Sequence, residues 1–226
     1  MQKPNIIVIG GFGVNQYAAP WLYELSKNYK FIDINCHNNF INFEASAVFL
    51  EDYLVDKNNI VLGYSLGGMF AINLAHAFPK RIKKIGLINS SAKFIQAANW
   101  HGINFSDWNY LRRRLIDSSI NRFMNYFINL ISYPKSDRVL FRSINYCSEV
   151  TKEHLINLLD LLSNSDLRQM LNELDSEVFS IYSSEDNLVP STNPNILGKR
   201  YVLSNSNHLK LDTTELFKIL KAELIC

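Results

Sequence analysis

The hexapeptide Gly63-Tyr64-Ser65-Leu66-Gly67-Gly68 constrains this chain more than any other feature. It follows the apolar run Asn59 to Gly63, which reads as a buried strand. It precedes Leu66 to Phe78, which reads as a helix stopped by Pro79. A Gly-x-Ser-x-Gly turn between strand and helix is tight enough to lift its serine out at the C-terminal edge of a sheet. Its glycines let the neighbouring backbones pass closely. Six of the nine glycines fall in this cluster and in Gly10-Gly11-Phe12-Gly13, which follows a second apolar strand, Ile6 to Ile9. Two plainer readings compete: a serine in an ordinary turn, and, for the first cluster, a phosphate loop. A dinucleotide or phosphate loop is the weaker reading of the first cluster, because Gly10-x-x-Gly13 lacks the full G-x-G-x-x-G spacing.

Around these clusters strand and helix text alternates. Ala18 to Asn28 and Phe43 to Leu54 read as helices, and Lys30 to Ile34 and Lys84 to Asn89 as strands. From Phe94 to Asp175 the alternation stops and only helix-like text remains, including Trp108 to Leu115, Ser118 to Ile131 and Lys152 to Leu162. Strands resume at Val178 to Tyr182 and Arg200 to Leu203, before a last helix at Thr213 to Leu224. The expected class is α/β: a mostly parallel central sheet flanked by helices, with an inserted all-helical lid. The core is then split into residues 1–93 and 176–226 around an insertion at 94–175.

A chain of 226 residues with 47% apolar and 19% charged residues is long enough for one substantial core, and a net charge of +2 leaves no bulk footprint for nucleic acid. The N-terminal apolar stretch is too short for a signal peptide or a membrane span, so the cytoplasm is the expected location and a monomer the expected state. Cys36, Cys147 and Cys226 are far apart and form no C-x-x-C pair. Neither a disulfide framework nor a zinc site is indicated, and reduced thiols are expected.

An exposed serine is a weak nucleophile. It needs a base, a carboxylate to orient that base, and amides for a developing oxyanion. His208 lies in the polar loop Ser204-Asn205-Ser206-Asn207-His208, after the last strand and before the last helix. Asp186 follows the strand Val178 to Tyr182, which gives the chain order Ser65, Asp186, His208. Glu185 competes with Asp186, since a one-residue shift of the turn would exchange them. His37, His76, His101 and His154 lie in an early loop, in the helix after Ser65, or in the insertion, where surface or core roles suffice. The amides of Phe12 and Leu66 are the candidate oxyanion donors. This chemistry calls for no metal and no organic cofactor.

With these residues in view, the sequence resembles the biotin-pathway esterases of the BioH type, the pimeloyl-[acyl-carrier protein] methyl ester esterases of the α/β-hydrolase superfamily. Gly11-Phe12-Gly13-Val14-Asn15 is similar to that family's Gly-Trp-Gly-Leu-Asn loop, and the Ser65 cluster to its Gly-Trp-Ser-Leu-Gly-Gly elbow. Asn89-Ser90-Ser91-Ala92-Lys93-Phe94 with Trp100-His101-Gly102-Ile103 resembles its entry into the lid. Asp166-Leu167-Arg168-Gln169 resembles the exit, and Asp186-x-Leu188-Val189-Pro190 the acid turn. The chain departs from the pattern at Ile34-Asn35-Cys36-His37-Asn38-Asn39, which lacks the family's Pro-Gly-x-Gly turn. It departs again at Phe12, which replaces a tryptophan, and at Leu209-Lys210, where the family tends to have Ala-Pro.

The resemblance implies hydrolysis of the methyl ester of a pimeloyl chain carried on acyl carrier protein, with release of methanol. Phe12, Leu66 and Phe127 are then the expected substrate contacts, and Arg122, Arg138 and Arg142 the carrier contacts. An independent clue agrees. Between Trp108 and Cys147 seven basic residues face two acidic ones, so the rest of the chain is net negative. A basic face beside an active-site entrance would steer an acidic carrier; a solvated helix face is the plainer reading. Two other functions stay open: a carboxylesterase or thioesterase for small free esters, and a hydrolase-fold protein that binds a ligand without turning it over.

Overall fold

Successive strands are separated by helices or longer connections, so each can run in the same direction as its neighbours, and every paired strand does. The computed structural model describes residues 3–134, 150–192 and 198–224. Its strands are β1 (Asn5–Ile9), β2 (Lys30–Ile32), β3 (Asn59–Tyr64), β4 (Ile82–Ile88), β5 (Glu177–Ser183) and β6 (Lys199–Leu203). They form one sheet in the order β2-β1-β3-β4-β5-β6. The chain steps outward from β1 to β2, then returns across β1 to lay down β3. Connections leaving β1 and β3 therefore diverge, opening a crevice at the C-terminal ends of these two strands. Both glycine clusters leave the sheet there.

Helix α1 (Pro20–Asn28) begins two residues later than its apolar pattern suggests. Proline at the first position has the right φ, and the N–H it lacks has no partner there anyway. Helix α2 (Phe43–Glu51) is capped by Asn42, whose side chain accepts from the Ala45 amide. Helix α3 (Leu66–Ala77) is apolar nearly all round because it is buried against the sheet.

Among the described residues four helices stand between β4 and β5: α4 (Phe105–Asp117), α5 (Ile120–Ser132), α6 (Lys152–Asn164) and the short α7 (Arg168–Asn172). Asn104, Ser119 and Thr151 cap the first three. Helix α5 is one-sided, burying Phe123, Met124, Phe127, Ile128 and Ile131 at helical spacing. Burial of side chains this size contributes ~1.5–3 kcal/mol each, which holds a thirteen-residue helix where propensity alone would not. Helix α8 (Thr213–Leu224) closes the described chain.

Among the described residues no helix is long and apolar enough to cross a membrane, and no group of three potential metal ligands converges. The expectation of reduced thiols fails at Cys36, which is disulfide-bonded; Cys147 and Cys226 lie outside the described residues.

Candidate active site

Ser65 sits between β3 and α3 with φ 52° and ψ −123°, a conformation that costs a non-glycine residue on the order of 1–3 kcal/mol. Its surroundings hold it there. The Ser65 amide donates to Ile88 O at 3.0 Å, and its carbonyl accepts from Gly68 N at 3.0 Å and from Ser90 Oγ at 2.6 Å. A Cβ on Gly67 would strike the carbonyls of Ile9 and Gly10, and one on Gly63 would strike Gly68 Cα. The elbow glycines are thus required by backbone approach.

The three residues expected to act together are adjacent. Ser65 Oγ donates to His208 Nε2 at 2.9 Å, and His208 Nδ1–H donates to Asp186 Oδ2 at 2.8 Å. Asp186 Oδ1 accepts from the amides of Leu188 at 2.8 Å and Val189 at 3.0 Å, which leaves Oδ2 aimed at the ring. Asp186, and not Glu185, makes this contact. Ser65 is 7% exposed, and the His208 and Asp186 side chains 3% and 0%. In so dry a setting a charge is strongly felt by its neighbours.

The loop bearing His208 is fixed from several sides. Its carbonyl accepts from Tyr64 Oη and from Asn89 Nδ2, both at 3.0 Å, and Trp21 Nε1 donates to Leu209 O at 2.8 Å. Burial, and after it the charge of Asp186, pushes the Tyr64 phenol well above its ordinary pKa, so it remains a donor. Asn207 Oδ1 accepts from the amides of Leu209 and Lys210, and its Nδ2 donates to Ser132 O at the end of α5 at 2.8 Å. Leu209 N also donates to Ile131 O. The turn is thereby tied to the inserted helices.

Phe12 lies in the loop after β1. Its ring meets Phe127 edge-on at 5.1 Å and Phe123 at 6.2 Å, so helix α5 packs over this loop. Among the described residues no acceptor meets the Phe12 amide, and Leu66 is the first residue of α3, where an amide has no partner inside the helix. Arg122 is exposed in the first turn of α5 and lines a surface cavity of about 420 Å³ with Tyr110, Arg113, Arg114, Asp117 and Ser118. Arg138 and Arg142 lie outside the described residues.

Of the remaining histidines, His154 is buried in α6 with Nε2 against Ile34 O at 2.9 Å, and His37 packs on Phe49. Neither approaches Ser65 through a hydrogen bond. Sequence reading missed the asparagines that scaffold the site: Asn35, Asn89 and Asn207. Only Asn207 carried a signal, since an Asx side chain beside a functional turn residue commonly bonds its own backbone.

The chain belongs to the alpha/beta hydrolase fold family, whose model matches residues 11–138, more than half of its length. Among its relatives, a pimeloyl-[acyl-carrier protein] methyl ester esterase of Wigglesworthia glossinidia brevipalpis is 23% identical, over 82% of this chain and 76% of that protein. One of the same name from Photobacterium profundum is 27% identical, over 84% and 79%. Among solved structures, a bromoperoxidase from Bacillus anthracis superposes with a TM-score of 0.80 at 14% identity, covering 99% of this chain and 91% of that one. An esterase from Exiguobacterium antarcticum gives 0.77 at 15%, covering 100% and 94%. The last two likenesses are likenesses of fold.

Proposed function

We propose that the protein is a serine carboxylesterase that hydrolyses the methyl ester of pimeloyl-[acyl-carrier protein], working in the cytoplasm with residues 94–175 as a lid. The observation that carries this reading is the unbroken hydrogen-bonded line from Ser65 through His208 to Asp186. The names of its relatives supply the ester.

In this mechanism Ser65 Oγ attacks the ester carbonyl while His208 Nε2 takes its proton. Asp186 keeps the ring in the tautomer that can do so and stabilises the imidazolium. Negative charge gathers on the former carbonyl oxygen, which the amides of Phe12 and Leu66 receive. His208 returns the proton to the methoxy oxygen and methanol leaves. Water, deprotonated by His208, then attacks the acyl-enzyme, and collapse of the second intermediate frees the acid and Ser65. Phe12, Leu66 and Phe127 flank the acyl chain, and Arg122, with Arg138 and Arg142, receives the acidic carrier.

Kinetics at two ionic strengths test the substrate. The carrier-bound pimeloyl methyl ester should show a kcat/KM well above that of a short free methyl ester, and salt should erode only the former. Equal values without a salt effect would reassign the protein to small free esters. The chain should also restore biotin-independent growth to a bacterium lacking its own pimeloyl methyl ester esterase.

A further inference from the structure

The segment after β2, where this chain departs from its relatives' Pro-Gly-x-Gly turn, forms a single 3-10 turn, Ile34–Cys36. At its centre Asn35 is 5% exposed, and its side chain points into the loop after β1. Its Oδ1 accepts from Gly13 N at 2.7 Å. Its Nδ2 donates to Gly11 O at 3.1 Å, to Asp33 Oδ1 at 2.8 Å and, at the limit of bonding, to Val14 O at 3.5 Å. Asp33 Oδ1 also accepts from the Asn35 amide at 3.0 Å. One amide side chain thus holds the carbonyl before Phe12 and the amide after it.

The consequence follows from peptide planarity. Gly11 C=O and Phe12 N–H belong to one peptide unit and in the trans form point in opposite directions. Fixing that carbonyl on Asn35 therefore fixes the direction of the Phe12 N–H, away from Asn35. The loop abuts the elbow: a Cβ on Gly11 would stand 3.1 Å from Ser65 Cβ. Left-handed Gly13, at φ 63°, is conformationally permissive, and the loop's own closing bond, Val14 N to Gly11 O, is long at 3.4 Å, against 3.1 Å for the bond from Asn35. The turn carrying Asn35 is held in place by Asp33 on one side and on the other by His154 of α6, whose Nε2 bonds Ile34 O.

We propose that Asn35 is the positioning residue of the oxyanion loop, acting through Gly11 C=O and Gly13 N–H to aim the Phe12 amide at the reacting carbonyl oxygen. This rests on the oxyanion role given to Phe12 above. Only a neutral amide does this, since the site needs a donor for Gly11 O and an acceptor for Gly13 N on one planar group.

The test compares an ester with its thiono analogue, whose C=S sulfur accepts hydrogen bonds poorly. Wild-type protein should prefer the oxygen ester strongly in kcat. In Asn35→Leu, kcat for the oxygen ester should fall by about ten- to a hundredfold with KM within twofold, less than the loss of a donor outright, and the oxygen-to-thiono preference should shrink by a similar factor. Asn35→Asp keeps the acceptor for Gly13 N but loses the donor to Gly11 O. It should shrink the preference too, and it serves if the leucine variant does not fold. A merely structural asparagine would lower the melting temperature and leave the preference unchanged, which overturns the proposal for Asn35 alone. A wild-type enzyme without preference overturns the oxyanion reading itself.

Discussion

The two ends of the parallel sheet are built by different physics. At the C-terminal end Ser65, His208 and Asp186 are held by neutral donors and acceptors: Ser90, Tyr64, Asn89, Asn207 and backbone amides. Ser65 is backbone-strained there. At the opposite end the buried Lys84 Nζ meets Glu177 at 3.1 Å and Glu223 at 3.2 Å, and Glu223 also binds Lys199 and Tyr201. Charge is thus concentrated where no chemistry is assigned. The neutral groups fix the position of the His208 loop without adding a second charge beside the ring. Substitutions at the two ends should then separate activity from stability.

The largest effect is expected from Ser65→Ala. Ester hydrolysis should drop by at least about a thousandfold and fluorophosphonate labelling should vanish, while the melting temperature stays nearly unchanged, because alanine keeps the Cβ and with it the strained backbone. Substantial remaining turnover would remove Ser65 from the mechanism. Asp186→Asn should follow with about a thousand- to ten-thousandfold loss in kcat, because an amide at that position favours the wrong tautomer of His208. At the other end Lys84→Met leaves Glu223 without its buried cation. It should cost about 3–5 kcal/mol in chemical denaturation, with kcat per folded molecule unchanged. A fall in kcat equal to that of Asp186→Asn would abolish the distinction between the ends.

Acid should act on the charged end first. Burial alone would raise the Glu223 carboxyl, but hydrogen bonds from Lys199, Tyr201 and Lys84 overrule it and hold the pKa at about 2, against an ordinary value of 4.5. A carboxyl depressed in the fold stabilises it fully above its unfolded value. The contribution should therefore be present above pH 4.5 and drain away as the pH falls through about 2. Denaturant midpoints across that window should fall in the wild type and flatten in Glu223→Gln.

Much of the candidate site's arrangement was legible in the sequence because its elbow is local. The elbow needs its serine and glycines within six residues. Its place in the turn alone favours Asp186 over Glu185; in the structure Asp186 also makes an Asx turn in which Oδ1 bonds the amides of Leu188 and Val189. Only the shorter side chain makes that turn, so the signal existed in the residue type. The scaffolding asparagines were illegible for another reason. Asn89 reaches His208 across 119 positions and Asn207 reaches Ser132 across 75; the local sequence hints at the bonds of Asn207 to its own turn but at neither long-range bond. The start of α2 at Phe43, after its Asn42 cap, was legible, whereas the apolar pattern starts α1 at Ala18, two residues before the proline that begins it.

The smallest effect concerns the inserted helices, where three consecutive arginines look alike in sequence and differ in the fold. Arg112 is spent on Asp160, with Nη2 to Oδ2 at 2.8 Å. Arg114 stacks on Tyr126 at 4.1 Å and donates to Tyr110 Oη. Among the described residues Arg113 and Arg122 have no carboxylate partner, and they share one surface cavity. An acidic carrier would therefore feel these two most. Arg122→Glu should raise KM for the carrier-bound ester about three- to tenfold at low salt, lose most of that effect at high salt, and leave a free methyl ester unaffected. The same substitution at Arg112 would break its pair with Asp160 and lower the melting temperature. A salt-insensitive change in Arg122→Glu that also appears with the free ester would locate its role in helix packing and remove this face from carrier recognition.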